Sequence, residues 1–150
     1  MKNNLLHHYL ILISFILILI FNSCNAFRAQ ELKYHTSYDN LELTEKEKNI
    51  DKIIKDKFNV VFEELFKSDK IDIYINGKNK FSKEISTNNV TGESAFFSSN
   101  DKIISSFIIY VNNNKIELKN SDLIKFKYLY IQKKGQNLLL TFSNRPKYYA

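Results

Sequence analysis

One cysteine, one proline, three glycines and no tryptophan stand among 150 residues. A lone cysteine excludes an internal disulfide framework and any cysteine-cluster zinc site. So little proline and glycine excludes collagen-like and proline-rich chains, while 44% hydrophobic and 14% aromatic residues exclude simple disorder. Three histidines, two of them the adjacent His7 and His8, leave little material for metal or triad chemistry. At 17.7 kDa the chain has room for one domain.

The longest apolar run lies near the amino terminus. Residues Leu5 to Phe21 are broken only by His7, His8 and Ser14, and Lys2 is the one charge before them. The densest part, Tyr9 to Phe21, is 13 residues long, the size of a signal-peptide core and short of the roughly 20 residues that span a bilayer. Phe21-Asn22-Ser23-Cys24-Asn25 follows and holds the only cysteine. This segment resembles the lipobox of bacterial lipoprotein precursors, in which a signal peptide, here residues 1–23, is removed and the cysteine becomes the first residue. The family prefers Leu three positions before the cysteine and a small residue two before it, where this chain has Phe21 and Asn22. Ser directly before the cysteine, as Ser23 is here, is common in small lipoproteins of Bacteroidetes-like bacteria.

The resemblance implies a diacylglyceryl group on the Cys24 thiol and an acyl chain such as palmitate on its amine. Two or more chains anchor a protein stably where one gives marginal binding, at about 0.8 kcal/mol per buried methylene. Asn25 differs from the Asp of the inner-membrane retention signal in enteric lipoproteins, and Asn25 to Gln30 lacks the acidic run that sends some lipoproteins to the cell surface. The implied place is the outer membrane, facing the periplasm. Two other readings stay open at this point. Cys24-Asn25-Ala26 also fits ordinary signal peptidase, which would release a soluble protein starting at Phe27, and an uncut Leu5–Phe21 would act as an anchor. All three put the remaining chain outside the cytoplasm.

Formal net charge is +6 and the isoelectric point about 9.2. Removing residues 1–23 takes away Lys2 and no acidic group, which leaves +5. The lysines are spread along the chain, and Arg28 and Arg145 are the only arginines, whereas specific nucleic-acid readout leans on Arg forks and aromatic platforms. The charge reads as a solvated basic surface with no nucleic-acid partner, and the abundance of Lys, Asn and Ile as the imprint of an AT-rich genome.

Phe27 to Leu43 is polar and without sustained period, so residues 24–43 read as a lipid-anchored tether and residues 44–150 as the domain. Thr44-Glu45-Lys46-Glu47 is a capping box. Apolar residues at Ile50, Ile53, Ile54, Phe58, Val61, Phe62, Leu65 and Phe66 then follow a helical stripe and predict a helix from about residue 45 to 67. From Lys70 the period becomes two: Ile71, Ile73 and Ile75 alternate with polar neighbours up to Asn76-Gly77, a tight hairpin signal. Further strands are expected at Lys80–Thr87, Ser94–Ser98, Ile103–Val111, Ile116–Lys119, Leu123–Gln132 and Leu138–Ser143. Short strands set apart by Asn and Gly turns predict a mainly β fold, a small antiparallel β-sandwich or barrel packed against one amphipathic amino-terminal helix.

His35 falls in the tether and reads as solvated. Glu63-Glu64 and the Asp69/Asp72 pair lack the spacing of a calcium loop, and no metal or cofactor is expected. Tyr128 and Tyr130 lie at i and i+2 on one strand face, where they would either stack on a sugar or peptide or fill the core beside Phe126. Arg145, the only arginine after the tether, is the candidate for contact with an anionic group. No motif with a catalytic mechanism occurs, so a non-enzymatic envelope module that binds a protein or glycan is the expectation. An immunity or inhibitor lipoprotein that occupies a toxin or hydrolase is the alternative, and a small enzyme with a shallow site is the third reading.

Overall fold

Short alternations of apolar and polar side chains, broken by Asn and Gly turns, build nearly all of the structure, a computed structural model that describes residues 32–53, 57–101 and 103–147. In chain order these residues form β1 (Lys33–Asp39), α1 (Glu45–Ile53), β2 (Phe58–Phe62), β3 (Asp69–Ile75), β4 (Lys78–Ile85) and β5 (Ala95–Ser99), then β6 (Phe107–Val111), β7 (Asn114–Leu118), α2 (Asn120–Lys125), β8 (Tyr128–Lys134) and β9 (Asn137–Ser143). The expected signal peptide 1–23, the lipidation site Cys24 and the closing Tyr148 and Tyr149 lie outside the described residues, as do positions 54–56 of the expected helix. No helix among the described residues is long and apolar enough to cross a membrane.

Two sheets face each other across one core. The first runs in the order β1-β9-β8-β2-β5 and the second β4-β3-β6-β7. Phe62, Ile73, Ile109, Leu129 and Leu140, drawn from both sheets, are all buried in the shared cluster. The hairpin turns follow from local chemistry. Asn76 and Gly77 both have positive φ, 52° and 74°, as the tight turn between β3 and β4 requires, and Asn112 and Asn113 repeat this between β6 and β7 at 48° and 69°.

The mainly β architecture agrees with the sequence, and four details differ. Neither sheet closes into a barrel, and the first is mixed, because β1 pairs parallel with β9 and β2 parallel with β8. The predicted helix is cut short: its capping box is present, with Thr44 N–H donating to Glu47 Oε2 at 2.7 Å and Glu47 N–H to Thr44 Oγ1 at 3.3 Å, but Phe58–Phe62 is a strand. Phe58, Val60 and Phe62 enter the shared core while Val61 packs on the other side with Tyr128 and Tyr130. A strand buried on both faces is apolar at nearly every position, so its residues fit spacings of three and four as well as two.

Third, the strand expected from Leu123 begins only at Tyr128, because Asn120–Lys125 is helical. Asp122 in its first turn and Lys125 in its last complement the helix dipole. Fourth, the expected tether contains β1. Its Tyr38 ring stacks on Phe126 at 5.5 Å and Phe142 at 5.8 Å.

Glu31–Ala150 forms a compact unit that contains the whole described core. A fragment that starts at residue 42 loses β1 and both Tyr38 stacks, each worth about 1 kcal/mol. It is expected to melt roughly 5–10 °C below the 31–150 fragment. Equal melting in calorimetry would mean that β1 adds nothing to the fold.

Candidate functional site

A cleft of about 610 Å³ opens at one end of the sandwich. Phe58, at the start of β2, and Phe126, just after α2, form its apolar floor. Both belong to the core and are held from behind: Phe58 meets Phe107 edge to face at 5.4 Å, and Phe126 is stacked by Tyr38. Leu123 and Ile124 of α2 and Ile104 of the β5–β6 connection form the walls.

The β5–β6 wall is fixed by one side chain. Asn76 Nδ2 donates to the Ile103 carbonyl at 2.8 Å, and Asn76 Oδ1 accepts from Ser105 N–H at 2.8 Å, Ser105 Oγ–H at 2.9 Å and Ser106 N–H at 3.2 Å. Asn120 Nδ2 reaches the Ser105 carbonyl from α2 at 3.3 Å. The turn residue that shapes the β3–β4 hairpin therefore also holds the cleft open. Tyr38 Oη–H donates to Asp122 Oδ2 at 3.4 Å and ties β1 to α2.

Charge gathers at the mouth, where Lys57, Lys127 and Asp101 line the cleft. Asp101 is already engaged. Lys80 Nζ lies 3.0 Å from it and Ser99 Oγ 3.2 Å, and the Lys80 ammonium foremost holds its carboxyl below the ordinary range. Ile124 is 87% exposed and Ile103, beside Ile104, 80% exposed, so apolar surface continues outward from the walls.

The tyrosines and Arg145 lie elsewhere, on the outer face of the first sheet. Tyr128 and Tyr130 stack at 5.8 Å and are 4% and 1% exposed. The carboxy-terminal segment is bonded to Tyr130: Tyr130 Oη–H donates to the Arg145 carbonyl and accepts from Lys147 N–H, both at 2.8 Å. Lys147 Nζ stands 4.4 Å over the Tyr130 ring and 2.7 Å from Glu63 Oε1. Arg145 pairs with buried Glu47, Nε at 3.1 Å and Nη2 at 3.0 Å from the same Oε1, which ties α1 to that segment. Structure thus joins Tyr130 to Arg145 by a backbone bond and places neither beside the cleft.

Hydrogen bonds from the Thr44 backbone and hydroxyl, then the Arg145 guanidinium, hold the Glu47 carboxyl below its ordinary value, and burial pushes the Tyr130 phenol up. A lowered carboxyl adds stability above its unfolded value that is lost as pH falls through the folded one. A raised phenol adds stability below its unfolded value that is lost as pH rises. Melting temperature is expected to hold level between about pH 6 and 9 and to fall on both sides. Glu47→Gln should blunt the acid limb and Tyr130→Phe the alkaline one. An unchanged profile in either variant would remove that group from the account.

A smaller polar depression of about 260 Å³ on the outer face is lined by Glu63, Glu64, Thr91, Gln132 and Lys147 among others. Among the described residues no three His, Cys, Asp or Glu side chains gather as metal ligands. The cleft residues were not visible as a site in the sequence, because segments around residues 58, 104 and 125 contribute them and each reads there as core or strand. No known protein family, curated protein or solved structure matches the chain.

Proposed function

We propose that this chain is a non-enzymatic, lipid-anchored module of the bacterial envelope that binds its ligand in the cleft between α2 and the β5–β6 connection. The observation that carries the binding role is the cleft itself. An aromatic floor and a wall pinned by Asn76 make a pre-formed concave site of the size that takes small ligands. The anchor rests on the signal-like run and Ser23-Cys24, with the outer membrane facing the periplasm as its place.

Methyl-resolved NMR of the 31–150 fragment against a panel of small apolar and amphipathic compounds tests the binding role. Shifts confined to Ile104, Leu123 and Ile124 support it, and a panel that moves none of them overturns it. The anchor is tested apart from this. Cys24→Ala in the full chain should abolish acylation and membrane association, read by fractionation and by the mass of the mature amino terminus. A wild-type protein that is unmodified and begins at Phe27 overturns the anchor.

One feature favours a second reading, an immunity or inhibitor protein. Of the four edge strands among the described residues, β1, β4 and β7 carry lysines or acids, whereas β5, Ala-Phe-Phe-Ser-Ser, carries no charge, and its Phe96 is 51% exposed. An uncharged edge invites pairing with a strand of another protein. Behind it, the register partners Asn59 and Ser98 each keep a buried side-chain oxygen without a hydrogen bond. Phe96→Lys would block such a partner and leave the cleft unaffected.

A further inference from the structure

We infer that β5 pairs with β5 of a second copy of this chain, antiparallel about a two-fold axis at Phe97, so that the first sheets of the two copies join into one. The inference takes up the uncharged edge described above and needs neither the anchor nor the cleft.

The ladder fixes which groups the edge offers. The Asn59 N–H and, just past β2, the Glu63 N–H donate to the Lys127 and Ile131 carbonyls on the β8 side. Backbone groups alternate in direction along a strand, so Phe58, Val60 and Phe62 face β5, where their register partners are Ser99, Phe97 and Ala95. Phe96 and Ser98 therefore turn their N–H and C=O groups away from β2, toward the open edge of the described sheet. A two-fold at Phe97 sets Phe96 opposite Ser98 of the second copy, and Ser98 opposite its Phe96. Each of these pairs exchanges two backbone hydrogen bonds. The exposed Phe96 rings become diagonal neighbours across the seam, within reach of each other.

Charge selects a second copy over an unrelated strand. β1, β4 and β7 all carry lysine and would set like charges together in a self-pair, whereas β5 brings none. The surroundings of β5 differ in sign from end to end. Glu93 precedes the strand, and Glu64 lies against neighbouring Gly92. Past the other end, Asp101 is outnumbered: Lys80 bridges it at 3.0 Å, Lys78 adds its field, and Lys57 lines the same cleft. Antiparallel pairing about a two-fold lays the acidic end of each copy beside the basic end of the other, so the match is made twice.

The test is sedimentation equilibrium of the 31–150 fragment from about 10 μM to 1 mM, joined to amide hydrogen exchange along β5. A monomer–dimer equilibrium with a dissociation constant on the order of 100 μM is expected for so short an edge. The Phe96 and Ser98 amides should gain protection as the dimer fills, while those of Ala95 and Phe97, already turned toward β2, are protected at every concentration. Phe96→Lys, at an exposed position, should weaken association about tenfold or more with no change in melting temperature. Glu93→Lys should weaken it severalfold, and Glu93→Lys combined with Lys78→Glu should recover most of that loss.

A fragment that stays monomeric at about 1 mM overturns the inference and leaves the edge to a strand of another protein. A dimer that survives Phe96→Lys, or that forms without protecting the Phe96 and Ser98 amides, also overturns it, because the copies then meet elsewhere. If the charge swap recovers nothing, the acidic and basic ends do not meet as the two-fold requires, and the antiparallel register is wrong.

Discussion

Asp69→Ala is expected to destabilise the domain by about 3 kcal/mol, because it removes a buried carboxylate and leaves a largely covered cation without its counter-charge. Asp69 opens β3 and is 2% exposed. Its carboxylate accepts from Lys67 N–H at 2.8 Å, from Asn112 Nδ2 in the β6–β7 turn and from Lys133 Nζ near the end of β8. One side chain thus joins the second sheet to the first, and Lys133 is itself only 17% exposed. With the carboxylate gone, Lys133 loses its counter-charge, and Asn112 loses the bond that accompanies its acceptance of Lys70 N–H at 2.8 Å.

Urea unfolding of the 31–150 fragment gives the magnitude, and a loss of this size corresponds to roughly 10–20 °C in melting temperature. A double variant, Asp69→Leu with Lys133→Met, should recover much of the loss, since an apolar pair carries no desolvated charge. If Asp69→Ala costs under about 1 kcal/mol, the pair behaves as an exposed ion pair and the two sheets are held by the core alone.

Phe107→Ala is of similar size, at about 3–5 kcal/mol for an aromatic ring lost from a closed core. Phe107 is fully buried and touches Phe58 at 5.4 Å and Phe97 at 6.4 Å, ring edge to ring face in both pairs. The void left behind is lined by apolar carbon and stays dry. Because Phe58 is the cleft floor, this variant should also weaken any cleft ligand, whereas Ile124→Ser at the exposed lip should change stability by no more than about 0.5 kcal/mol. Stability by denaturation and affinity by titration separate the two effects. A Phe107→Ala protein that binds as well as wild type would show that Phe58 needs no support from behind.

The sequence made the local features legible and the long-range ones obscure. Asn76-Gly77, the Thr44/Glu47 capping box and the alternation at Ile71, Ile73 and Ile75 depend on neighbours within a few positions, and all three are in the structure. β2 was obscure because both of its faces are buried and its apolar residues satisfy two periods at once. β1 was obscure for the opposite reason: Lys-Tyr-His-Thr-Ser-Tyr-Asp is polar on both faces and is a strand only because β9 lies beside it. The cleft had no sequence signal, since its floor and walls come from three distant segments. Tyr128 and Tyr130 were legible as a pair on one face, while the segment bonded to Tyr130, tied by Arg145 to Glu47, follows no local pattern.

The parallel pairing of β1 with β9 also sets the order of assembly. Ser37 and Thr141 meet at 2.9 Å across 104 residues of chain, and contacts this far apart make folding slow for the size of the domain. The first sheet closes only when the first described strand meets the last, so its completion waits for the carboxy-terminal hairpin.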